Sequence, residues 1–190
     1  IRDRSEAVDG AGSDYKSVFA VILGTGVGAG FSYNKKIIVG PNKLTGEWGQ
    51  NPIPGPMDDY EKSVKRHCGR VGAIEVFLSG PGLENYYKFI SGSKKSSREI
   101  VSLYKENDSF ANEVMDIYFE RIARSFSTFV NILDPDIIVC GGGMSEIDDI
   151  YSEVPKRIIP YIASNYFLTP IVKAFHGSTS GVRGCLLYTS

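Results

Sequence analysis

Cysteine is scarce in this 190-residue chain: Cys68, Cys140 and Cys185 are odd in number and far apart. That pattern excludes a disulfide framework and suits a reducing, cytoplasmic setting. Long apolar runs are missing as well. The longest, Val18 to Leu23, falls far short of the ~18 residues that cross a bilayer, and no basic-then-apolar leader opens the chain, so no membrane partner is expected. A basic excess is also absent. The 21 Lys and Arg stand against 22 Asp and Glu, giving a net charge of -1 and a pI of 6.2. A phosphate-backbone partner needs more positive charge than that, so no nucleic acid is expected. Repeats and low-complexity tracts are lacking too. What is present is 42% hydrophobic, 12% aromatic and 23% charged residues, enough apolar material for one folded domain or one lobe of a larger protein. No Met stands at position 1, and Ile1 to Arg4 read as the tail of a helix, so residues 1–16 are expected to be the remnant of a preceding lobe and its linker.

The β-branched run Ser17 to Leu23 reads as a strand that enters the glycine-rich stretch Gly24 to Gly30. Phe31 to Tyr33 and Ile37 to Gly40 continue the strand pattern with short connections, so the three strands are expected to form an antiparallel meander. Pro52, Pro54 and Pro56 prevent a persistent helix or central strand, and residues 41–80 read as an ordered functional loop. Ser96 and Glu99 have capping-box spacing and start a helix running to about Tyr104. From Asp108 the apolar positions Ala111, Val114, Met115, Tyr118, Ile122, Phe126, Phe129, Val130 and Leu133 keep helical spacing up to Pro135. Ile137 to Cys140 is a short apolar run stopped by three glycines, the pattern of a parallel strand buried on both faces. A helix over Ile147 to Ile162, a strand over Pro170 to Ala174 and a possible helix after Gly181 complete the order. The fold class is therefore α/β, a ribonuclease-H-like lobe with a mixed sheet: a three-strand meander, then helix, strand, helix, strand.

Two glycine segments carry potential chemistry. Gly24-Thr25-Gly26-Val27-Gly28-Ala29-Gly30 is not a dinucleotide fingerprint, since Ala29 occupies the place of the third glycine, and it lacks the Lys of a P-loop. Its main-chain N–H groups and the Thr25 hydroxyl can face a phosphate; read alone, an ordinary glycine hairpin serves as well. Gly141-Gly142-Gly143-Met144-Ser145 lies past a buried strand and before a helix, where a nucleotide's ribose or adenine could dock, or where glycine relieves backbone strain. Glu47 and Glu75 each stand beside glycine in the irregular loop. An ionised carboxylate can accept from two hydroxyls of a polyhydroxyl ligand, though solvated loop charges look the same. Cys140, within an apolar strand, reads as a core residue, and His176 as a solvated loop histidine.

In order, Leu23 to Gly30, Thr45 to Gly49, Cys68 to Glu75, Asn131 to Asp136, Gly141 to Ser145 and Gly181 to Gly184 resemble the motifs of ROK-family sugar kinases. Glu47-Trp48-Gly49 with Asn51 to Pro54, and Phe77 to Gly80, look most like the bacterial fructokinases of that family, of the manno(fructo)kinase type. The resemblance implies an actin-like ATPase fold of two lobes, with residues 17–184 as the carboxyl-terminal lobe and 185–190 as an uncertain tail. It further implies ATP with Mg2+ in the cleft, phosphoryl transfer to the 6-hydroxyl of a hexose, and compatibility with a homodimer. Carried across, Glu47 and Glu75 bind sugar hydroxyls, Gly24, Thr25 and Gly26 face the ATP phosphates, and Gly142 and Gly143 line the adenosine. The family's catalytic Asp and its first phosphate loop have no match here, and Asp3 does not replace the former, so no catalytic base is assigned and the fragment alone is expected to be inactive. The four positions that hold a structural zinc in the family read Gln50, Arg66, Cys68 and Ala73. Only Cys68 is a zinc-type ligand, with His67 beside it, so no zinc is expected and the loop should be held by packing of Trp48, Ile74 and Phe77. A glucokinase, an N-acetylhexosamine kinase or a sugar-sensing repressor of the same family fits the same motifs.

Overall fold

The computed structural model describes residues 10–175. The expectations that rest on Asp3, His176, the Gly181 segment and Cys185 lie outside them. Five strands form one mixed sheet: β1 (Ser17–Leu23), β2 (Val27–Tyr33), β3 (Lys36–Ile37), β4 (Ile137–Gly141) and β5 (Ile171–Lys173), in the order β3-β2-β1-β4-β5. β1 pairs antiparallel with β2, Phe19 opposite Phe31, and parallel with β4, Val18 opposite Ile137. The meander and the parallel strand are therefore where the sequence puts them, with two adjustments. The glycine turn is only Gly24 to Gly26, so Gly28 and Gly30 lie inside β2. β3 starts early, because Asn34 and Lys35, at φ 50° and 62°, make the left-handed two-residue turn that a hairpin favours, and it ends at Ile37.

Alternation along the central strands assigns their faces. Phe19, Val21 and Leu23 of β1 and Ile138 and Cys140 of β4 enter the main core, while Val18, Ile137 and Val139 form a smaller cluster on the opposite face. Asp136 sets the β1–β4 register: its carboxylate accepts from the Ser17 N–H at 2.8 Å and the Ser17 hydroxyl at 2.9 Å, while its own N–H donates to that hydroxyl at 2.8 Å.

The helices are α1 (Asp59–Ser63), α2 (Glu75–Leu78), α3 (Gly80–Ser91), α4 (Ser97–Lys105), α5 (Ser109–Leu133) and α6 (Asp149–Arg157). α5 is the long amphipathic helix of the sequence pattern. Asp108 caps its start, accepting from the Ala111 N–H, and Asp134 ends it in a left-handed conformation just before Pro135. Its Phe129 stacks on Phe19 of β1 with ring centroids 3.9 Å apart, and the Trp48 indole meets Phe126 and Phe129 edge-on. The capping box at Ser96 and Glu99 is complete. The expected helix over Ile147 to Ile162 is shorter, ending at Arg157 and giving way to a 3-10 turn over Ile159–Tyr161, since Pro160 has no N–H to continue the ladder. Residues 41–80 are irregular overall but carry a 3-10 turn over Glu47–Gln50 and the short α1 and α2. α3 has no counterpart in the sequence reading.

Candidate functional site

The β1–β2 turn closes on itself, Gly24 N–H donating to the Gly26 carbonyl at 3.0 Å, and the Gly24 carbonyl accepts from the Gly80 N–H at 2.8 Å. This second bond joins the turn to the first residue of α3. Ser79 caps α3 by accepting from the Gly82 N–H at 3.2 Å, and Pro81 occupies the first turn, where a missing N–H costs nothing. α4 starts at the same place: the Ser97 N–H and hydroxyl both donate to Glu84 of α3, at 2.9 and 2.8 Å. A β-carbon on Gly80 would lie 3.2 Å from the Ser97 hydroxyl and 3.5 Å from the Met144 sulfur, so strand turn, both helix starts and the β4 turn meet at one point.

There a cleft of about 570 Å³ opens, lined by Gly24 and Thr25, by Gly80, Pro81 and Glu84 of α3, by Ser97, Arg98 and Val101 of α4, and by Gly143, Met144, Glu146 and Ile147. Thr25 and Gly143 are exposed. Helix amino ends and oriented turn amides favour an anion, and the apolar Val101, Met144 and Ile147 suit a flat base. The structure thus brings Gly24, Thr25 and Gly143 together. Gly142 behaves differently. At φ 95° and ψ 171°, a region only glycine occupies readily, it lets the chain pass so close to β1 that a β-carbon would sit 2.3 Å from the Leu23 carbonyl. It shapes the turn and leaves the cleft wall to Gly143. The contribution of α3 and α4 was not read from the sequence, although Ser79 followed by Pro81 is the signature of a helix start.

The two carboxylates flank one edge of β2. The Ala29 N–H donates to the Gly46 carbonyl at 2.8 Å, next to Glu47, and the Val27 N–H donates to Glu75 Oε2 at 3.2 Å. Two residues along a strand place these contacts about 7 Å apart. Glu47 is exposed and lines a second groove of about 710 Å³ with Trp48, Asn51 and Arg70; its carboxylate has no hydrogen bond among the described residues. Glu75 is half-buried at the start of α2, and its Oε2 fills the space where Gly26 would carry a β-carbon, 2.9 Å away. Its Oε1 accepts from Arg66 Nε at 3.0 Å, and Nη2 lies 2.9 Å from the same oxygen as an ion pair. With the Val27 bond, two of about four acceptor positions are used, and one on each oxygen is left for a ligand hydroxyl.

Gln50, Arg66, Cys68 and Ala73 lie on adjacent, mutually bonded segments: Pro52 bridges to Ala73, Lys65 bridges to Val71, and the Gly72 N–H donates to the Val64 carbonyl at 3.0 Å. They do not fit zinc. Arg66 turns one guanidinium edge to Glu75 and Nη1 to the Cys68 sulfur at 3.9 Å, and among the described residues no three His, Cys, Asp or Glu side chains could hold a metal. The Arg70 N–H and the Arg66 guanidinium hold the Cys68 thiol below its ordinary pKa, whereas burial pushes that of Cys140 up to about 12, in keeping with a core role.

Trp48, Ile74 and Phe77 are all buried in the core. A second fastening of the loop is ionic. Glu61 of α1, fully buried, accepts from Arg121 Nε at 2.9 Å and from Arg124 at 3.1 and 3.2 Å. Arg124 also donates to the Pro54 carbonyl at 2.8 and 2.6 Å, and the Arg121 guanidinium lies 4.1 Å from the centre of the Tyr86 ring. The loop is pinned to α5 through two arginines.

A ribonuclease-H-like sheet with a glycine turn, helix starts and a β4 turn around one cleft defines an actin-like ATPase lobe. The chain belongs to the ROK family, which it matches over residues 3–189. It is 39% identical over 184 residues to an N-acetyl-D-glucosamine kinase of Vibrio atlanticus and 38% identical over 186 residues to one of Vibrio cholerae, each alignment covering 95% of this chain and 61% of the relative. The chain therefore spans less than two thirds of the length of these relatives. Among solved structures it superimposes on a ROK hexokinase from Thermus thermophilus with a TM-score of 0.85 at 20% identity, covering 98% of this chain and 61% of that one. A ROK glucokinase from Streptomyces griseus, in complex with glucose and AMPPNP, gives 0.82 at 20% identity, covering 96% and 63%. A ROK transcriptional regulator gives 0.80 at 17% identity, covering 98% and 48%. Among the described residues no helix is long and apolar enough to cross a membrane.

Proposed function

We propose that this chain is the nucleotide- and sugar-binding lobe of an ATP-dependent hexose kinase, and the observation that supports this most is the convergence of Gly24, Thr25 and Gly143 on one cleft with the starts of α3 and α4. A sugar-sensing repressor shares the fold, but a protein that only senses sugar has no need of a second cleft suited to an anion and a base. The sugar is N-acetyl-D-glucosamine in this reading: the named activity of the relatives at 38–39% identity supports it over the fructose that the loop motifs suggested.

In phosphoryl transfer the protein mainly positions the reactants and neutralises charge. The turn amides and the Thr25 hydroxyl hold phosphate oxygens, Gly143 leaves room for the adenosine, and Glu47 and Glu75 orient the sugar from one edge of β2 so that its 6-hydroxyl points towards the terminal phosphate. Mg2+, when bound, would neutralise the phosphate charge. Among the described residues no carboxylate is assigned to accept the hydroxyl proton.

The test is sugar-dependent ATP turnover by the full-length parent over fructose, glucose, N-acetylglucosamine and N-acetylmannosamine. N-acetylglucosamine should give the highest kcat/KM. Glu75→Ala removes a hydrogen bond to a charged acceptor worth about 1.5–3 kcal/mol, and so should raise the sugar KM roughly tenfold or more while sparing that for ATP. The 190-residue chain alone should bind nucleotide without sugar-dependent turnover. Absence of transfer to any hexose by the parent would refute the kinase reading, and preference for fructose would refute the choice of sugar.

A further inference from the structure

We propose that Arg66 is a positioning residue, which fixes the Glu75 carboxylate so that its remaining acceptor positions face the sugar; this rests on the assignment of Glu75 to sugar binding above. Arg66 acts from a rigid base. Its N–H donates to the Arg70 carbonyl at 2.8 Å, its carbonyl accepts from the Gly69 N–H at 2.8 Å, and the flanking Lys65 and Val71 are bridged. Its side chain is 17% exposed, against 23% for Glu75, so the pair is largely withdrawn from the competing solvent. Nε donates to Oε1 at 3.0 Å and Nη2 lies 2.9 Å from the same oxygen as an ion pair, which leaves Oε2 to the Val27 N–H at 3.2 Å. The side chain is thus held from both oxygens, and rotation about its last torsion is blocked.

The geometry also explains why an arginine serves here. A planar guanidinium presents several donors in a fixed fork, so it can bind Glu75 along one edge and turn Nη1 to Cys68. Lysine offers one nitrogen and cannot do both. The loop position that resembles a zinc ligand in related proteins is used in this chain to orient a carboxylate.

Amide hydrogen exchange on the 190-residue chain separates positioning from general stability. Arg66→Ala frees the Glu75 carboxylate, so the Val27 amide should exchange at least about tenfold faster while β1 amides such as Phe19 keep their rates. Arg66→Lys should fall between wild type and Arg66→Ala, and in a Glu75→Ala background Arg66→Ala should add nothing. An unchanged Val27 rate, or an acceleration shared equally by Phe19, would overturn the proposal. In the parent enzyme Arg66→Ala should raise the sugar KM as Glu75→Ala does, with kcat changed less. Faster Val27 exchange in Arg66→Ala alongside an unchanged sugar KM in Glu75→Ala would leave Arg66 holding Glu75 but overturn its part in sugar binding, so failure of that assignment is distinguishable from failure of the positioning.

Discussion

Replacing Glu61 with alanine should cost this fold several kcal/mol. Glu61 is fully buried, and the Arg121 side chain it pairs with is only 2% exposed. After the substitution Arg124 keeps the Pro54 carbonyl, at 2.8 and 2.6 Å, but Arg121 is left with Asp58 at 3.3 Å, itself 48% exposed. Removing one partner of a buried ion pair costs about 3–5 kcal/mol because the other charge stays behind. The surviving Asp58 contact places the expected value at the lower end, near ~3 kcal/mol. In a domain of this size each kcal/mol moves Tm by roughly 2–4 °C, so Glu61→Ala should melt about 6–12 °C below wild type. Thermal unfolding by circular dichroism at pH 7 measures this. The combined change Glu61→Leu with Arg121→Met removes both charges and should be less damaging than Glu61→Ala alone, since a well-packed apolar replacement is often neutral. A fall of under about 3 °C for Glu61→Ala, or a double variant no better than the single one, would refute the claim that this ion pair fastens the loop to α5.

Gly142→Ala should destabilise by about 2–4 kcal/mol in urea titration, summing the strain of its φ with the overlap of a β-carbon on the Leu23 carbonyl; a loss under about 1 kcal/mol would show that the β4 turn adjusts freely. Asp136 has a pKa held below its ordinary value, first by the Ser17 N–H and then by the Ser17 hydroxyl. Its stabilising contribution is therefore complete above the unfolded value and is lost as pH falls through the lowered folded one. The Tm advantage of wild type over Asp136→Asn should accordingly be constant above about pH 5 and shrink steadily towards pH 2; an advantage that persists undiminished at pH 2 would exclude this linkage. Elemental analysis should find no stoichiometric zinc in the purified chain, and a chelator should leave its Tm unchanged. One zinc per chain with a chelator-induced fall in Tm would mean that His67, Cys68 and further ligands build a site after all.

Much of the sheet was legible because its signals are local. The apolar run of β1, the stripe of α5 and the glycines after β4 each identify an element within a short window, and the order of elements then restricts the topology. α3 was missed for a local reason as well. It begins Gly80-Pro81-Gly82 and follows a proline-rich loop, so its breaker residues concealed a helix start in which Ser79 caps and Pro81 occupies the first turn. The early start of β3 was equally hidden, since nothing in the sequence announces that the turn is confined to Asn34 and Lys35.

The site was legible where backbone defines it and obscure where side chains meet across the chain. Gly24, Thr25 and Gly143 could be singled out because a glycine turn after a strand is visible in sequence. That Glu75 would be half-satisfied by Arg66 and Val27 could not, because nine and 48 residues separate them. The Glu61 pairing spans 60 residues to Arg121, yet it left one trace. Arg121 falls three residues after Tyr118 and four before Ser125, all three buried on α5, so a charge stands within the face that should be apolar. A buried arginine is tolerated only when its donors are satisfied, and this one therefore requires an acidic partner from elsewhere in the chain. The irregular loop, too rich in proline to form a ladder of its own, is the segment that can bring such a partner to α5 without disturbing the sheet. The fastening of the loop and the break in the α5 stripe are thus a single feature seen from its two ends.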